Sequence, residues 1–279
     1  MKIINLDSKI ELTPAQVSFA ESVIIGGERH TYPIHYSNVS IIMNQIPIFL
    51  LAPESMPDEN SIVDGWVDVR ENHSENDEKE FKHELKPSTE WLGFYSHSNR
   101  IMGIETPSIG LCPERIIKCI NTDEELCIAI AKVLIHEFAH AAMKDHPNAN
   151  YTPRDEFYHW MEESMANVLT LEYFHRYNME FRGRYHSKFE DKSARLREAT
   201  TIITPFNFVK TFISQQPPNY LLGLDLFQYG FYDWKMWSRL KSNIQHKTNE
   251  KKEWLDYVKA NVGYADPAIL KQLFEALYK

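Results

Sequence analysis

The spacing of hydrophobic positions changes character near Thr122. Upstream, apolar residues come in short runs. Residues 39–51 are apolar and β-branched, and Val63, Gly65, Val67 and Val69 give partial alternation within 62–70. Residues 91–95 and 100–105 flank His97-Ser98-Asn99, a plausible hairpin turn. Runs of this length and composition predict strands. One early helix is expected at Thr13-Pro14-Ala15-Gln16, which supplies a cap, a proline at the first helical position and a glutamine three residues after the cap. Residues 71–90 carry acids, lysines and little hydrophobicity, so they read as a solvated loop with His73 and His83 at the surface. A short strand, Ser108–Leu111, precedes Cys112-Pro113, where proline opens a brief helix.

Downstream the period is helical. Thr122-Asp123-Glu124-Glu125 is a capping box, and the helix it opens has an apolar stripe of Leu126, Ile130, Val133, Leu134, Ile135 and Phe138, ending before Pro147. A second helix starts near Thr152-Pro153 and runs to about Tyr177-Asn178. Residues 178–191 read as an irregular connection, and four or five helical stretches follow, broken at Pro205, Pro217-Pro218, Gly230, Gly263 and Pro267. The expected architecture is α+β in two lobes: residues 1–177 with a small mixed sheet and the two long helices, and 178–279 all helical.

Composition narrows the function. With 30 basic and 39 acidic residues the net charge is −9, the wrong sign for wrapping nucleic acid or docking on anionic lipid. Neither is an expected partner. The first 16 residues lack an uninterrupted apolar segment of secretory length, since Asp7, Lys9 and Glu11 break it. Three cysteines, Cys112, Cys119 and Cys127, match no zinc spacing and do not pair off into a disulfide framework. The cytoplasm is the expected location.

The candidate chemistry sits in His136-Glu137-Phe138-Ala139-His140, late in the capped helix. Histidines at i and i+4 lie on one face about a turn apart, so both imidazoles can reach one metal ion. Glu137 is offset by about 100°, beside the metal rather than on it. On the next helix, Glu163 shares its face with Glu156, His159, Trp160, Ala166, Asn167, Thr170 and Phe174, whereas Glu162 points about 100° away. Glu163 is the preferred third ligand; His146, Glu162 and His159 stay open as alternatives. Asn167 is placed to hold a ligand histidine by its outer nitrogen, and His159 to stand behind the ligands. Two histidines and one carboxylate leave a fourth position open, the mark of a catalytic zinc site. Tyr173, Tyr177, Tyr185, His186, Tyr229 and Tyr232 are candidate donors to a transition-state oxyanion. The aromatic run from Tyr220 to Trp237 reads first as core, and alternatively as a cleft wall that supplies a phenol.

These residues resemble the zincin metallopeptidases, and among them the gluzincins, through His136-Glu137-Phe138-Ala139-His140 and Trp160-Met161-Glu162-Glu163-Ser164-Met165-Ala166-Asn167. The resemblance spans roughly residues 108–177. It implies Zn²⁺ held by His136, His140 and Glu163, with Glu137 as general base. It also implies that Ser108–Leu111 is the edge strand on which an extended substrate lies. One departure concerns His146: metzincins place a third histidine six residues after the second, but break the helix with a glycine where this chain has Met143. The expected function is a zinc-dependent hydrolase acting on a peptide or protein substrate. The alternative is a regulatory or binding protein that keeps a zincin-like fold without turnover.

Overall fold

The computed structural model describes residues 1–29, 39–56, 91–96, 107–144, 156–187, 204–216, 218–230, 244 and 246–278. The architecture is α+β, mostly helical, with one four-stranded mixed sheet. The strands are β1 (Lys2–Asn5), β2 (Pro47–Leu50), β3 (Gly93–Ser96) and β4 (Ser108–Leu111), in the order β1-β2-β4-β3. β1, β2 and β4 are parallel, and β3 runs antiparallel to β4.

Two caps are found as their residue types require. Thr13 and Gln16 bond reciprocally at the start of α1 (Pro14–Arg29), with the Thr13 N–H donating to Gln16 Oε1 at 2.8 Å. Glu125 accepts from the Asn121 and Thr122 N–H groups and donates its own N–H to Thr122 Oγ1, opening the helix Asp123–Lys144.

Two expectations need correction. Residues 39–51 are not one strand: Val39–Gln45 forms α2, followed by β2. The buried Val39, Ile42 and Met43 fall at i, i+3 and i+4, a helical stripe, and Glu28 caps the turn by accepting the Ser40 N–H at 2.7 Å. The irregular connection expected at 178–191 is helical as far as Ser187. The lobe boundary expected after Tyr177 falls inside that helix. The strands expected at 62–70 and 100–105, and the turn between 97 and 99, lie outside the described residues.

After β4 come α3 (Pro113–Lys118), α4 (Asp123–Lys144), α5 (Glu156–Ser187), α6 (Pro205–Ser214), α7 (Pro218–Gln228), α8 (Thr248–Asn261) and α9 (Pro267–Tyr278). The helix-facing side of the sheet, with Ile48, Leu50, Ile109 and Leu111, joins one core with α1, α4, α5 and the C-terminal helices. Phe49, Leu51, Met56, Phe94 and Cys112 form a smaller cluster of their own. By length and composition α4 is apolar enough to cross a bilayer, yet 83% of its most apolar window is buried inside the protein. Its hydrophobicity serves the core. At the far end, Trp254 is sealed against Phe157 and Phe274, and buried Asp225 accepts the N–H of Gly263 at 2.8 Å. Gly263 has φ +82°, which favours glycine.

Candidate metal centre

Helix α4 carries His136 and His140 on the face that meets α5, and α5 returns Glu163 to them. His136 Nε2 lies 3.2 Å from His140 Nε2 and 3.1 Å from Glu163 Oε2, and His140 Nε2 lies 3.4 Å from Glu163 Oε1. These three side chains can hold one metal ion, for their ligand atoms all lie within 4.8 Å of one another. Ligands at about 2.0–2.1 Å from a tetrahedral ion stand about 3.4 Å apart, close to these separations.

The surrounding groups hold the ligands in place. Asn167, fully buried one turn beyond Glu163, has Oδ1 at 3.0 Å from His136 Nδ1. Its amide donates to the Tyr220 carbonyl at 3.3 Å, tying α5 to α7. Ser164 donates to the Asn219 carbonyl at 3.0 Å. The two helices meet so closely at Gly223 that an added Cβ would lie 2.7 Å from Asn167 Cβ and 2.8 Å from the Ser164 carbonyl oxygen. Tyr220 consequently stacks on His136, with ring centroids 5.6 Å apart and planes at 24°.

Glu137 is buried outside the three-residue cluster and turns toward β3. The Tyr95 main-chain N–H donates to its carboxylate. Gly93 sits under the same helix: a Cβ there would meet Val133 Cγ1 at 2.7 Å and Glu137 Cγ at 3.4 Å. Among the described residues β3, not Ser108–Leu111, is the outermost strand on this side, because β4 is flanked by β2 and β3. Cys112 donates its N–H to the Leu92 carbonyl, so Leu92, Phe94 and Ser96 pair with the β4 side. By antiparallel alternation, Gly93 and Tyr95 direct their main-chain groups outward.

Electrostatics divides the cluster. Burial pushes His136 down to about 4, with neighbouring Lys132 adding to the effect. Burial also opposes protonation of His140, but the Glu163 carboxylate outweighs it and lifts this imidazole to about 9. Against its own burial, Glu163 is held well below the usual carboxylate range by the two histidines. Burial raises Glu137 to about 7, partly countered by His140 and augmented by Glu163. A carboxyl with that pKa exchanges a proton readily near neutrality.

The remaining candidates fall elsewhere. His159 is half-buried with Nε2 at 3.4 Å from Asn219 Nδ2, and among the described residues it makes no hydrogen bond to the cluster. Glu162 is buried outside the cluster and acts on His140 through its charge. Tyr173 donates to Glu28, Tyr177 packs against Phe19, and Tyr229 donates to the Ala265 carbonyl. His146 and Tyr232, and the side chains of Tyr185 and His186, lie outside the described residues. The phenol beside the cluster is Tyr220, at the head of the aromatic run whose first reading was core and whose alternative was a phenol at the cleft. Burial, then the charges of Glu163 and Glu137, hold it well above 10, so it stays protonated. Lys132 was missed; a lone lysine four residues before His136 on an apolar stripe was its signal.

No protein-family model matches the chain, and no curated protein or solved structure matches it either.

Proposed function

We propose that this protein is a zinc-dependent hydrolase, a peptidase of zincin-like fold and gluzincin-like ligand arrangement. The observation that carries this reading is the separation of two kinds of acid: Glu163 with both histidines, and Glu137 held off them against β3. Two imidazoles and a carboxylate suit zinc and leave a coordination position free. When bound, zinc would supply Lewis-acid chemistry, polarising a carbonyl and acidifying water.

The chain's own residues have distinct parts to play. Asn167 Oδ1 accepts from His136 Nδ1, which leaves Nε2 as the nitrogen presented to the metal. Glu137 takes the proton of the attacking water and returns it to the leaving amine. Tyr220, whose hydroxyl donates to Glu163 in this structure, would turn to donate to the oxyanion that forms on the scissile carbonyl. Among the described residues, the outward main-chain groups of Gly93, beside the Tyr95 N–H that Glu137 engages, would offer an extended peptide a place to pair.

Metal analysis of purified protein should find close to one zinc per chain, and anomalous scattering at the zinc edge should peak between His136, His140 and Glu163. Cleavage of a broad peptide library should stop on chelation and return with zinc. A full complement of metal with no cleavage across the library would leave the binding-module reading instead. No peak between these side chains would end both.

A further inference from the structure

Lys132 stands one turn before His136 on α4 and is only 4% exposed. Its ammonium lies 5.6 Å from the Phe212 ring centroid and 5.9 Å from that of Tyr220, the ring that stacks on His136. Among the described residues no carboxylate comes within 4.0 Å of it, and it makes no hydrogen bond. Other lysines differ: Lys259 pairs with Glu156 at 2.5 Å, and Lys247 donates to the Ala276 carbonyl at 2.8 Å.

An ammonium has three donors, and burying it without an acceptor is strongly unfavourable. Two aromatic faces compensate in part through their quadrupoles. The acids whose charge reaches Lys132 are Glu137 and Glu163, and both are committed to other tasks at the metal centre. The ammonium is not wholly sealed from solvent, and among the described residues none supplies its acceptor, so a ligand's carboxylate can take that place.

We infer that Lys132 is a substrate-binding residue that receives the free C-terminal carboxylate of a peptide beside the metal centre, selecting substrates cleaved at their carboxyl end. The inference rests on the hydrolase reading for its choice of ligand. Lys132 and His136 leave the same helix face about 6 Å apart, one turn. A terminal carboxylate follows the last peptide carbonyl by one residue, about 4 Å along the chain. A peptide seated for attack on that bond with its C-terminus toward Phe212 and Tyr220 would bring its carboxylate within the lysine's reach.

The test titrates the zinc-loaded full chain with N-acetyl-amino acids of varied side chain and with the matching amides. Zinc itself also attracts carboxylates, so the quantity that matters is the acid-to-amide ratio in wild type against Lys132→Met. Wild type should bind acids about tenfold or more tighter than amides, the scale of a charge-assisted hydrogen bond. Lys132→Met should lose most of that ratio with zinc content unchanged, and Lys132→Arg should keep it. Lys132→Gln gives the same reading should the methionine variant fail to fold. A wild-type ratio near one overturns the inference without any variant. So does an unchanged ratio in Lys132→Met, or an equal loss on acids and amides. Because binding is measured, acid selectivity that depends on Lys132 but comes without hydrolysis would sink the hydrolase reading and leave Lys132 as a receiver of carboxylates only. Cleavage of amidated and free-acid peptides at equal rates would sink only this inference.

Discussion

The two walls of the site are built differently. On the helical wall, α4, α5 and α7 lock together through side chains: Asn167 bridges His136 and the Tyr220 carbonyl, Ser164 reaches Asn219, and Gly223 lets the helices touch. On the strand wall, β3 contributes main-chain groups and a glycine, and Glu137 rests against them. The first wall suits holding a metal in one geometry. On the proposed hydrolase reading, the second would move a proton beside a substrate that comes and goes. Metal retention and turnover should therefore be separable by mutation.

The largest separation is expected at the acids. Glu137→Gln should keep zinc and fold yet lose about 10²–10⁴-fold in hydrolysis, roughly 3–5 kcal/mol of barrier, because the amide cannot accept the proton. Glu163→Gln should lose the metal itself, replacing a charged ligand by a poor one. Wild-type turnover in zinc-loaded Glu137→Gln would remove the assigned base.

Next comes Asn167→Ala, which frees His136 Nδ1 and should weaken zinc binding by about 10–100-fold in chelator competition. An unchanged dissociation constant would show that the helical wall does not depend on this bond. The glycines sharpen the contrast. Gly223→Ala and Gly93→Ala each force a Cβ to within 2.8 Å of its nearest neighbours and should destabilise by about 1–3 kcal/mol in denaturant melts. Only Gly223→Ala should also lower zinc affinity; only Gly93→Ala should depress turnover with zinc retained. The same pattern in both variants would erase the distinction between the walls.

A smaller effect is expected from pH. In the metal-free protein His140 is lifted from 6.5 to about 9 by Glu163, against its own burial. Its ion pair therefore contributes stability that is complete below about 6.5 and fades as pH rises through about 9. Zinc requires the neutral imidazole, so apparent affinity should climb with pH by up to about tenfold per unit and level off above about 9. Affinity flat between pH 6 and 9, by competition titration, would place the proton elsewhere. The smallest effect is none: His146→Ala should leave metal content unchanged, since Glu163 already stands beside the histidines. Loss of the metal would instead favour a third histidine ligand.

What could be read from the chain was local. Thr122 and Glu125 announce a helix start, and His136 and His140 share a face because α-helical geometry repeats within four residues. Glu163 and Asn167 follow from the same arithmetic on the next helix. The period failed inside residues 39–51, where Val39, Ile41 and Ile42 are β-branched and let a short helix pass for a strand.

The tertiary structure decided what depends on distant partners. Tyr220 lies 84 residues from His136 in the chain and reaches it only because Gly223 lets α7 settle onto α5. Among the described strands β3, not β4, is outermost because strand order is set by pairing across the sheet, which no single segment encodes. Lys132 looked like one polar residue on an apolar stripe; its burial between Phe212 and Tyr220 comes from two helices that begin more than 70 residues later. Periodicity is a property of one element, whereas burial and charge environment belong to the packing of several.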